Sequence, residues 1–299
     1  MMVDRKSIKG RIFTLLVFLQ ASLIVTGGAV RLTGSGLGCP TWPQCTPGSY
    51  TPVPHQAEGQ LHAWIEFGNR LLTFLLFFTA LAALVLTFKL TKDQIKNQKV
   101  RLLALLQLLG IFGQAILGGI TVLTDLNPIP VAGHYLLSIA LVAGALSLRF
   151  HIIGINLAEV KYPLTALIRL QLILTIAVLI IGTIVTGSGP HAGDEKAKRF
   201  GFNPQIVSWF HADLVIALVA ITGVVWILSR ETKGILYARN KFFILAILIQ
   251  GLIGYFQYFT GLPELAVGLH LLGSTIVWIS AWTLFKVSNI DLFPGRVKK

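Results

Sequence analysis

Long apolar stretches alternate with short polar segments along the whole chain. Eight of these stretches carry few charges, and each is long enough for a helix that crosses a membrane. They cover 12–30, 63–88, 102–123, 131–150, 164–187, 207–229, 241–260 and 265–286. A transmembrane β-barrel would instead show segments of about ten residues with alternating polarity, and these stretches do not alternate. The pattern therefore predicts an all-α integral membrane protein with eight transmembrane helices.

The composition agrees with this class. Of the 299 residues, 54% are hydrophobic and only 12% are charged, whereas a soluble domain carries about 25% charged residues. The first apolar stretch is longer than the apolar core of a secretory signal, and no small-residue cleavage site follows it. We therefore expect this stretch to be a transmembrane helix and not a cleaved signal.

The net charge of +13 raises the alternative of a nucleic-acid-binding protein. The basic residues, however, fall mainly on one side of the predicted helices. Of the 25 Lys and Arg residues, 20 lie before helix 1, after helix 8, or around the loops that follow helices 2, 4 and 6. The five others are Arg31, Arg70, Lys196, Lys198 and Arg199. By the positive-inside rule, this distribution predicts that both termini are cytoplasmic, and we expect no nucleic-acid partner.

Short motifs recur in the same order in the two halves of the chain. The shared motifs are TGSG at 33–36 and 186–189, the set Gln107, Gln114 and Gly118 matched with Gln250, Gln257 and Gly261, and GHYLL and GLHLL at the start of helices 4 and 8. Four helices in each copy give both copies the same orientation. We therefore expect two parallel four-helix repeats, in residues 1–155 and 156–299, related by an axis along the membrane normal.

Four of the seven histidines lie near the start of the even-numbered helices. They are His62, His134, His211 and His270, and we expect them at one depth near the outer face. Ionisable residues within a membrane usually mark a functional site. Two imidazoles that face each other across a helix bundle can ligate haem iron, although zinc and copper also bind histidine. We interpret the other three, His55, His151 and His191, as loop or interface residues.

Helix 2 begins with a further polar cluster. Glu66 and Asn69 follow His62 by four and seven residues, so the three share one helix face, and Arg70 lies beside Asn69. An interfacial polar patch is the alternative interpretation. Glu66, however, is one turn inside the span, where a carboxyl group can transfer protons. Helix 6 offers Asp213 near its histidine and no glutamate. We therefore expect chemistry in the first half and a permanent redox cofactor in the second.

The two cysteines, Cys39 and Cys45, lie in the first outer loop within CPTWPQC. Thiols outside the cytoplasm can oxidise and persist as a disulfide, and the short loop between them favours their proximity. Two interpretations stay open at this point. The pair is either a structural link within the loop or part of a redox or cofactor-handling site.

These residues resemble the haem A synthase family. The resemblance is carried by GGAVRLTGSGLGCPTWPQC, by the Glu-Phe-Gly-Asn-Arg segment of helix 2 and by the histidines of helices 4, 6 and 8, and it covers about residues 12–286. It implies an oxidoreductase of the bacterial cell membrane that serves cytochrome oxidase assembly. Such an enzyme converts haem O to haem A by oxidising the C8 methyl group to a formyl group through an alcohol, with water as the oxygen source.

The resemblance also implies roles for individual residues. His211 and His270 would ligate haem b, and His134 would face the iron of the substrate haem. Glu66 matches the family's essential glutamate. Cys39 and Cys45 match a cysteine pair of many bacterial members. Arg31 and Arg70, the two cations at the outer end of the first half, would pair with the haem propionates.

The chain departs from the family at one position. Many members have a histidine where this chain has Asn69. His62, two turns earlier on the same face, is one candidate ligand in its place. The other interpretation is that the substrate iron keeps His134 as its one protein ligand. Expected partners are haem O, a haem O synthase, assembly factors of cytochrome oxidase, an electron acceptor that the sequence does not identify, and a second copy of the chain.

Two other functions compete with this interpretation. A di-haem b-type cytochrome that only transfers electrons would explain the four histidines, but it would explain neither Glu66 nor the difference between the halves. A transporter would agree with parallel repeats. The histidines, however, are expected at the outer level and not at the midplane, where a transported substrate binds.

Overall fold

A computed structural model describes residues 7–56, 58–89, 98–194, 197–230 and 234–291. Within these residues the secondary structure consists of eight α-helices. They are α1 (Ile8–Leu32), α2 (Gln60–Lys89), α3 (Gln98–Leu123), α4 (Pro128–Ile153), α5 (Leu164–Ser188), α6 (Pro204–Ser229), α7 (Ile235–Phe259) and α8 (Glu264–Val287). All eight are long and apolar enough to cross a membrane, which confirms the predicted all-α multi-pass fold. Several basic residues that predict the orientation lie outside the described residues, and the orientation itself stays a prediction.

Asn-Pro pairs explain why α4 and α6 begin before the apolar stretches that predicted them. The side chain of Asn127 accepts a hydrogen bond from the backbone N–H of Ile129, and that of Asn203 accepts from Gln205 and Ile206. Proline at the first helical position needs no hydrogen-bond partner for its nitrogen. The extra turn places the histidines of both helices about two turns inside the helix.

The helices pack as two groups of four. In the N-terminal half, α1 contacts α2 and α4, and α3 contacts α2 and α4; α5–α8 repeat this arrangement in the C-terminal half. The halves meet where α1 contacts α8 and where α4 contacts α5 and α8. The end of the bundle where the even-numbered helices begin also carries the loop between Cys39 and Cys45. We call it the disulfide end.

Buried amide side chains connect the helices within each half. Gln20 of α1 donates a hydrogen bond to Gln107 of α3 at 3.0 Å. In the other half, Gln171 of α5 donates to Thr222 of α6 at 3.0 Å and to Asn240 of α7 at 3.1 Å. Amide side chains within a membrane favour such bonds between helices. These networks fix the relative position of the helices on the side of the bundle away from the disulfide end.

Tryptophans of α8 join the two halves. The indole N–H of Trp278 donates to the carbonyl of Ile139 at 2.7 Å, and that of Trp282 donates to Ser147 at 2.9 Å. Tryptophan combines a large apolar surface with one donor that needs a partner when it is buried. Both bonds join α8 to α4, so they hold the C-terminal half against the N-terminal half.

Candidate functional site

Two imidazoles face each other in the C-terminal half. His211 of α6 and His270 of α8 have ring centroids 6.5 Å apart, and the Nδ1 atom of each is buried without a hydrogen-bond partner. Two metal–imidazole bonds of about 2.0–2.1 Å on opposite sides of one ion would separate the ring centres by about 6.3 Å. The pair therefore has the spacing that a single metal ion between the rings requires.

Glycines leave room for both rings. A Cβ atom at Gly182 of α5 would lie 3.3 Å from Cε1 of His211, and one at Gly254 of α7 would lie 3.1 Å from Cε1 of His270. Any larger side chain would displace the imidazole beside it. Each histidine thus packs against the bare backbone of the preceding helix. Within the described residues, no group of three or more His, Cys, Asp or Glu side chains could hold a metal ion, so zinc with three or four protein ligands does not fit.

His134 of α4 shares three features of its surroundings with His270 of α8. Its Nδ1 atom is buried without a partner, and a Cβ atom at Gly118 would lie 3.5 Å from its Cε1. Gln114 donates from its side chain to the carbonyl of His134 at 3.1 Å. In the C-terminal half, Gln250 donates to the carbonyl of His270 at 2.7 Å.

These bonds show that α3 and α7 align differently from the alignment that the sequence motifs predicted. Gln114 corresponds to Gln250, and Gly118 corresponds to Gly254, so matching Gln107 with Gln250 was wrong by two helical turns. Both helices carry glutamines seven residues apart, so sequence spacing fits either register. Gln107 instead binds Gln20 and the backbone of α4.

Of the four expected histidines, His62 lies apart from the others. His134 and His270 are the seventh residues of their helices and His211 is the eighth, whereas His62 is the third residue of α2. At 1.5 Å per residue, His62 is about 6–8 Å nearer the start of its own helix than the other three histidines are to the starts of theirs. Its Nδ1 atom bonds the hydroxyl of Ser35 at 2.9 Å. The bond to Ser35 and the position in the first turn of its helix therefore set His62 apart from the other three histidines.

Glu66 of α2 is buried, with 6% of its surface exposed. The backbone N–H of Cys39 donates to its Oε2 atom at 2.7 Å. Arg70, one turn later on the same helix, donates to its Oε1 atom from Nη2 at 2.6 Å and from Nε at 3.2 Å. Both carboxylate oxygens are therefore engaged, and the adjacent guanidinium balances the charge of the carboxylate.

Arg70 also holds the loop above it. Its Nη1 atom donates to the carbonyl of Gln44 at 3.1 Å, and Nη2 donates to the carbonyls of Cys39 at 3.1 Å and Thr41 at 3.2 Å. The bond between Cys39 and Cys45 closes this loop, which confirms the predicted disulfide. Gly38, just before it, lies so close to the backbone of α2 that a side chain would not fit. We call residues 39–45 the disulfide loop.

The two arginines differ in how many partners they have. Arg70 uses its donors on Glu66 and on the disulfide loop, although a propionate was its expected partner. Arg31, in the last turn of α1, reaches the other half and donates from Nη2 to the carbonyl of Thr186 at 2.7 Å. Its Nε atom is buried without a partner. Arg31 therefore keeps a donor for an anion, and it lies between the two halves.

The three other histidines lie where loops and helix ends were expected. His55 is an exposed loop residue, His151 bonds the carbonyl of Ser147 in its own helix, and His191 bonds the carbonyl of Leu262. Asp213 of α6 is exposed. Asn69 faces α1, where the hydroxyl of Thr26 donates to its Oδ1 atom at 2.7 Å.

Removing the guanidinium of Arg70 should destabilise the protein. Arg70→Ala leaves the buried Glu66 without its cation and three loop carbonyls without a donor. Loss of one partner of a buried ion pair costs about 3 kcal/mol or more. Thermal unfolding in detergent measures this, with the exposed Arg239→Ala as the control, for which we expect less than about 0.5 kcal/mol. Equal melting temperatures for the two variants would contradict the assigned role of Arg70.

The helices and these side chains define a class of protein. It is a polytopic helical membrane protein with a half-buried imidazole pair in one half and, in the other, a buried carboxylate paired with a half-buried guanidinium. The chain belongs to the cytochrome oxidase assembly protein family, whose model matches residues 10–193. The match covers the N-terminal half and α5 and ends before His211 and His270.

Curated bacterial relatives agree with this family. Proteins named Heme A synthase from Lysinibacillus sphaericus, Oceanobacillus iheyensis and Geobacillus thermodenitrificans are 32%, 29% and 27% identical over 154, 136 and 112 residues. The matches cover 48%, 45% and 38% of this chain, and 47%, 41% and 32% of the relatives, so the chain spans less than half of their length. They confirm the resemblance to haem A synthases and indicate a multi-pass protein of a bacterial membrane.

Proposed function

We propose that this protein is a haem A synthase, an oxidoreductase that converts haem O to haem A. The observation that carries this proposal is the difference between the halves. The C-terminal half has an imidazole pair spaced for one metal ion, whereas the N-terminal half has one such imidazole and a buried carboxylate held by three hydrogen bonds. A cytochrome that only transfers electrons needs no such carboxylate.

The C-terminal half, residues 156–299, would hold haem b. Its fit rests on the 6.5 Å spacing of His211 and His270, on their unpartnered Nδ1 atoms and on Gly182 and Gly254, where an added Cβ atom would crowd the rings. When bound, haem b supplies one-electron redox chemistry. The two histidines would orient it between α6 and α8, and the surrounding apolar side chains would exclude water.

The N-terminal half, residues 1–155, would bind the substrate haem. His134 would face its iron, because this histidine repeats the environment of His270. Arg31 is the better of the two arginines to pair with a propionate, because it has a buried donor without a partner. Guanidinium groups form strong, charge-assisted bonds with carboxylates.

Glu66 would act on water. Oxidation of a methyl group with oxygen from water releases electrons as well as protons. The reaction therefore needs a one-electron acceptor from outside this chain and a base beside the reacting carbon. The N–H of Cys39 and the guanidinium of Arg70 fix both oxygens of Glu66, and both donors would favour its carboxylate form. In this mechanism the carboxylate accepts the proton of the attacking water and stabilises positive charge on the substrate.

The proposal is tested by haem extraction and chromatography from a host that makes haem O but no haem A. With this protein present, we expect haem A or its alcohol precursor. Purified protein that carries haem b but forms neither product would favour the electron-transfer cytochrome. Protein without haem absorbance after mild purification would favour a transporter.

A further inference from the structure

We infer that the haem site of the N-terminal half has a single imidazole ligand, His134, and a coordination position on its α2 side that is open to a small ligand. The inference rests on the proposed function, because it assumes that this half binds the substrate haem. The observations that carry it are the heights of individual side chains of α1, α2 and α4 along the axis of the helix bundle. We call this height the level of a residue.

The level of His134 can be read from the helix beside it. Arg149 of α4 bonds Thr14 of α1 at 3.0 Å, and the two helices run in opposite directions. Counting fifteen residues toward the disulfide end leads from Arg149 to His134 on α4 and from Thr14 to Ala29 on α1. His134 and Ala29 therefore lie at about the same level. The C-terminal half independently supports the level of Ala29 as the level of the haem site. The TGSG motifs are 153 residues apart, so Ala29 corresponds to Gly182, the residue that packs against His211.

Two bonds then show which part of α2 reaches this level. Asn69 bonds Thr26, which is less than one turn from Ala29 on the side away from the disulfide end. His62 bonds Ser35, which follows the end of α1 at Leu32. The level of Ala29 therefore lies between these two bonds and closer to Asn69. The imidazole of His62 therefore lies nearer the disulfide end than the haem site, beside the segment that follows α1.

The side chains that α2 does present at this level are poor iron ligands. The Oδ1 atom of Asn69 already accepts the hydroxyl of Thr26, and its amide nitrogen is only a donor. Both oxygens of Glu66 are occupied by Cys39 and Arg70. In the C-terminal half, α6 provides the imidazole of His211 at the corresponding level. The two halves thus differ by one ligand, supplied by α6 and absent from α2.

An iron with one axial imidazole leaves its sixth position free, as in globins, and can take a small exogenous ligand there. We therefore expect the substrate haem to be five-coordinate and high-spin. When reduced, it should bind carbon monoxide. The haem between His211 and His270 should stay six-coordinate and low-spin in the same preparation, and it serves as an internal control. The open position lies on the side of Glu66, where a water molecule could enter.

The test is the absorption spectrum of the reduced protein with and without carbon monoxide. The protein is purified from a host that supplies haem O, and its haems are extracted and identified. For the wild type we expect one haem that shifts with carbon monoxide and one that does not. Asn69→His should place an imidazole near the open position and abolish the shift. His62→Ala should leave both spectra as in the wild type.

The opposite results would overturn the inference. A wild-type spectrum with two low-spin haems and no carbon monoxide shift, together with a new shift in His62→Ala, would make His62 the second ligand. Only one bound haem in the wild type, despite a supply of haem O, would overturn the proposed substrate site and this inference with it. Asn69→His is compared with Asn69→Ala, which should keep the carbon monoxide shift. This pair separates ligation from a general disturbance of α2.

Discussion

In the proposed haem A synthase, Glu66→Gln should stop the formation of haem A while the protein still folds and binds haem. The amide has the shape of the carboxyl group, and its oxygen can still accept the N–H of Cys39. It cannot accept a proton from water, and loss of a general base lowers a rate by about 10²–10⁴-fold. We therefore expect haem O to accumulate on the purified variant. Chromatography of the extracted haems measures the ratio of haem O to haem A.

A matched control is Glu264→Gln at the start of α8. Glu264 is exposed and lies at the same end of the bundle, so its replacement should leave conversion at the wild-type level. Glu66→Asp keeps the charge but shortens the reach to Cys39 and Arg70, and we expect partial activity. If Glu66→Gln formed haem A at the normal yield, Glu66 would not be the base of the reaction.

The helices could be predicted from the sequence because lipid imposes a strong constraint. Every apolar stretch found along the chain is a helix in the structure. The ends differ because capping depends on single polar residues, such as Asn127 and Asn203, that lower the apolar average. The disulfide could be predicted as well, since Cys39 and Cys45 share one short loop outside the spans.

The depth of a side chain could not be predicted from its distance to the start of an apolar stretch. His62, His134, His211 and His270 all lie near such a start, yet α2 begins at Gln60, just before its histidine. Its first turn extends beyond the end of α1, where Ser35 meets His62. A level within a bundle depends on neighbouring helices, and these contacts join residues far apart in the sequence.

The surroundings of Glu66 show a second limit. Its partners are a backbone N–H in the disulfide loop and an arginine whose other bonds go to backbone carbonyls of that loop. Backbone groups carry no sequence signal, so the cluster on α2 was visible but its link to the loop was not. The signal that could have shown it is Gly38, because a glycine before a loop often marks close backbone contact.

Loss of an imidazole in the C-terminal half should remove the proposed haem b and with it the proposed conversion of haem O. His211 and His270 have the spacing that one metal ion between them requires, and replacing either by alanine would leave one histidine to hold the proposed haem. Removing a partner of a metal ligand already costs about 10–100-fold in affinity, so loss of the ligand itself should cost more. We expect His270→Ala to lose most of its low-spin absorbance. The ratio of haem to protein after purification measures this.

Two glycines of α7 separate loss of the ligand from damage to the helix. A Cβ atom at Gly254 would press against His270 at 3.1 Å, whereas one at Gly251, less than one turn away, would meet no atom within 4 Å. Gly254→Ala should therefore tilt the imidazole and lower haem retention by about tenfold, while Gly251→Ala should retain haem b fully. Equal retention in both variants would show that the ring of His270 does not depend on this contact. Full retention in His270→Ala would show that the iron is held elsewhere.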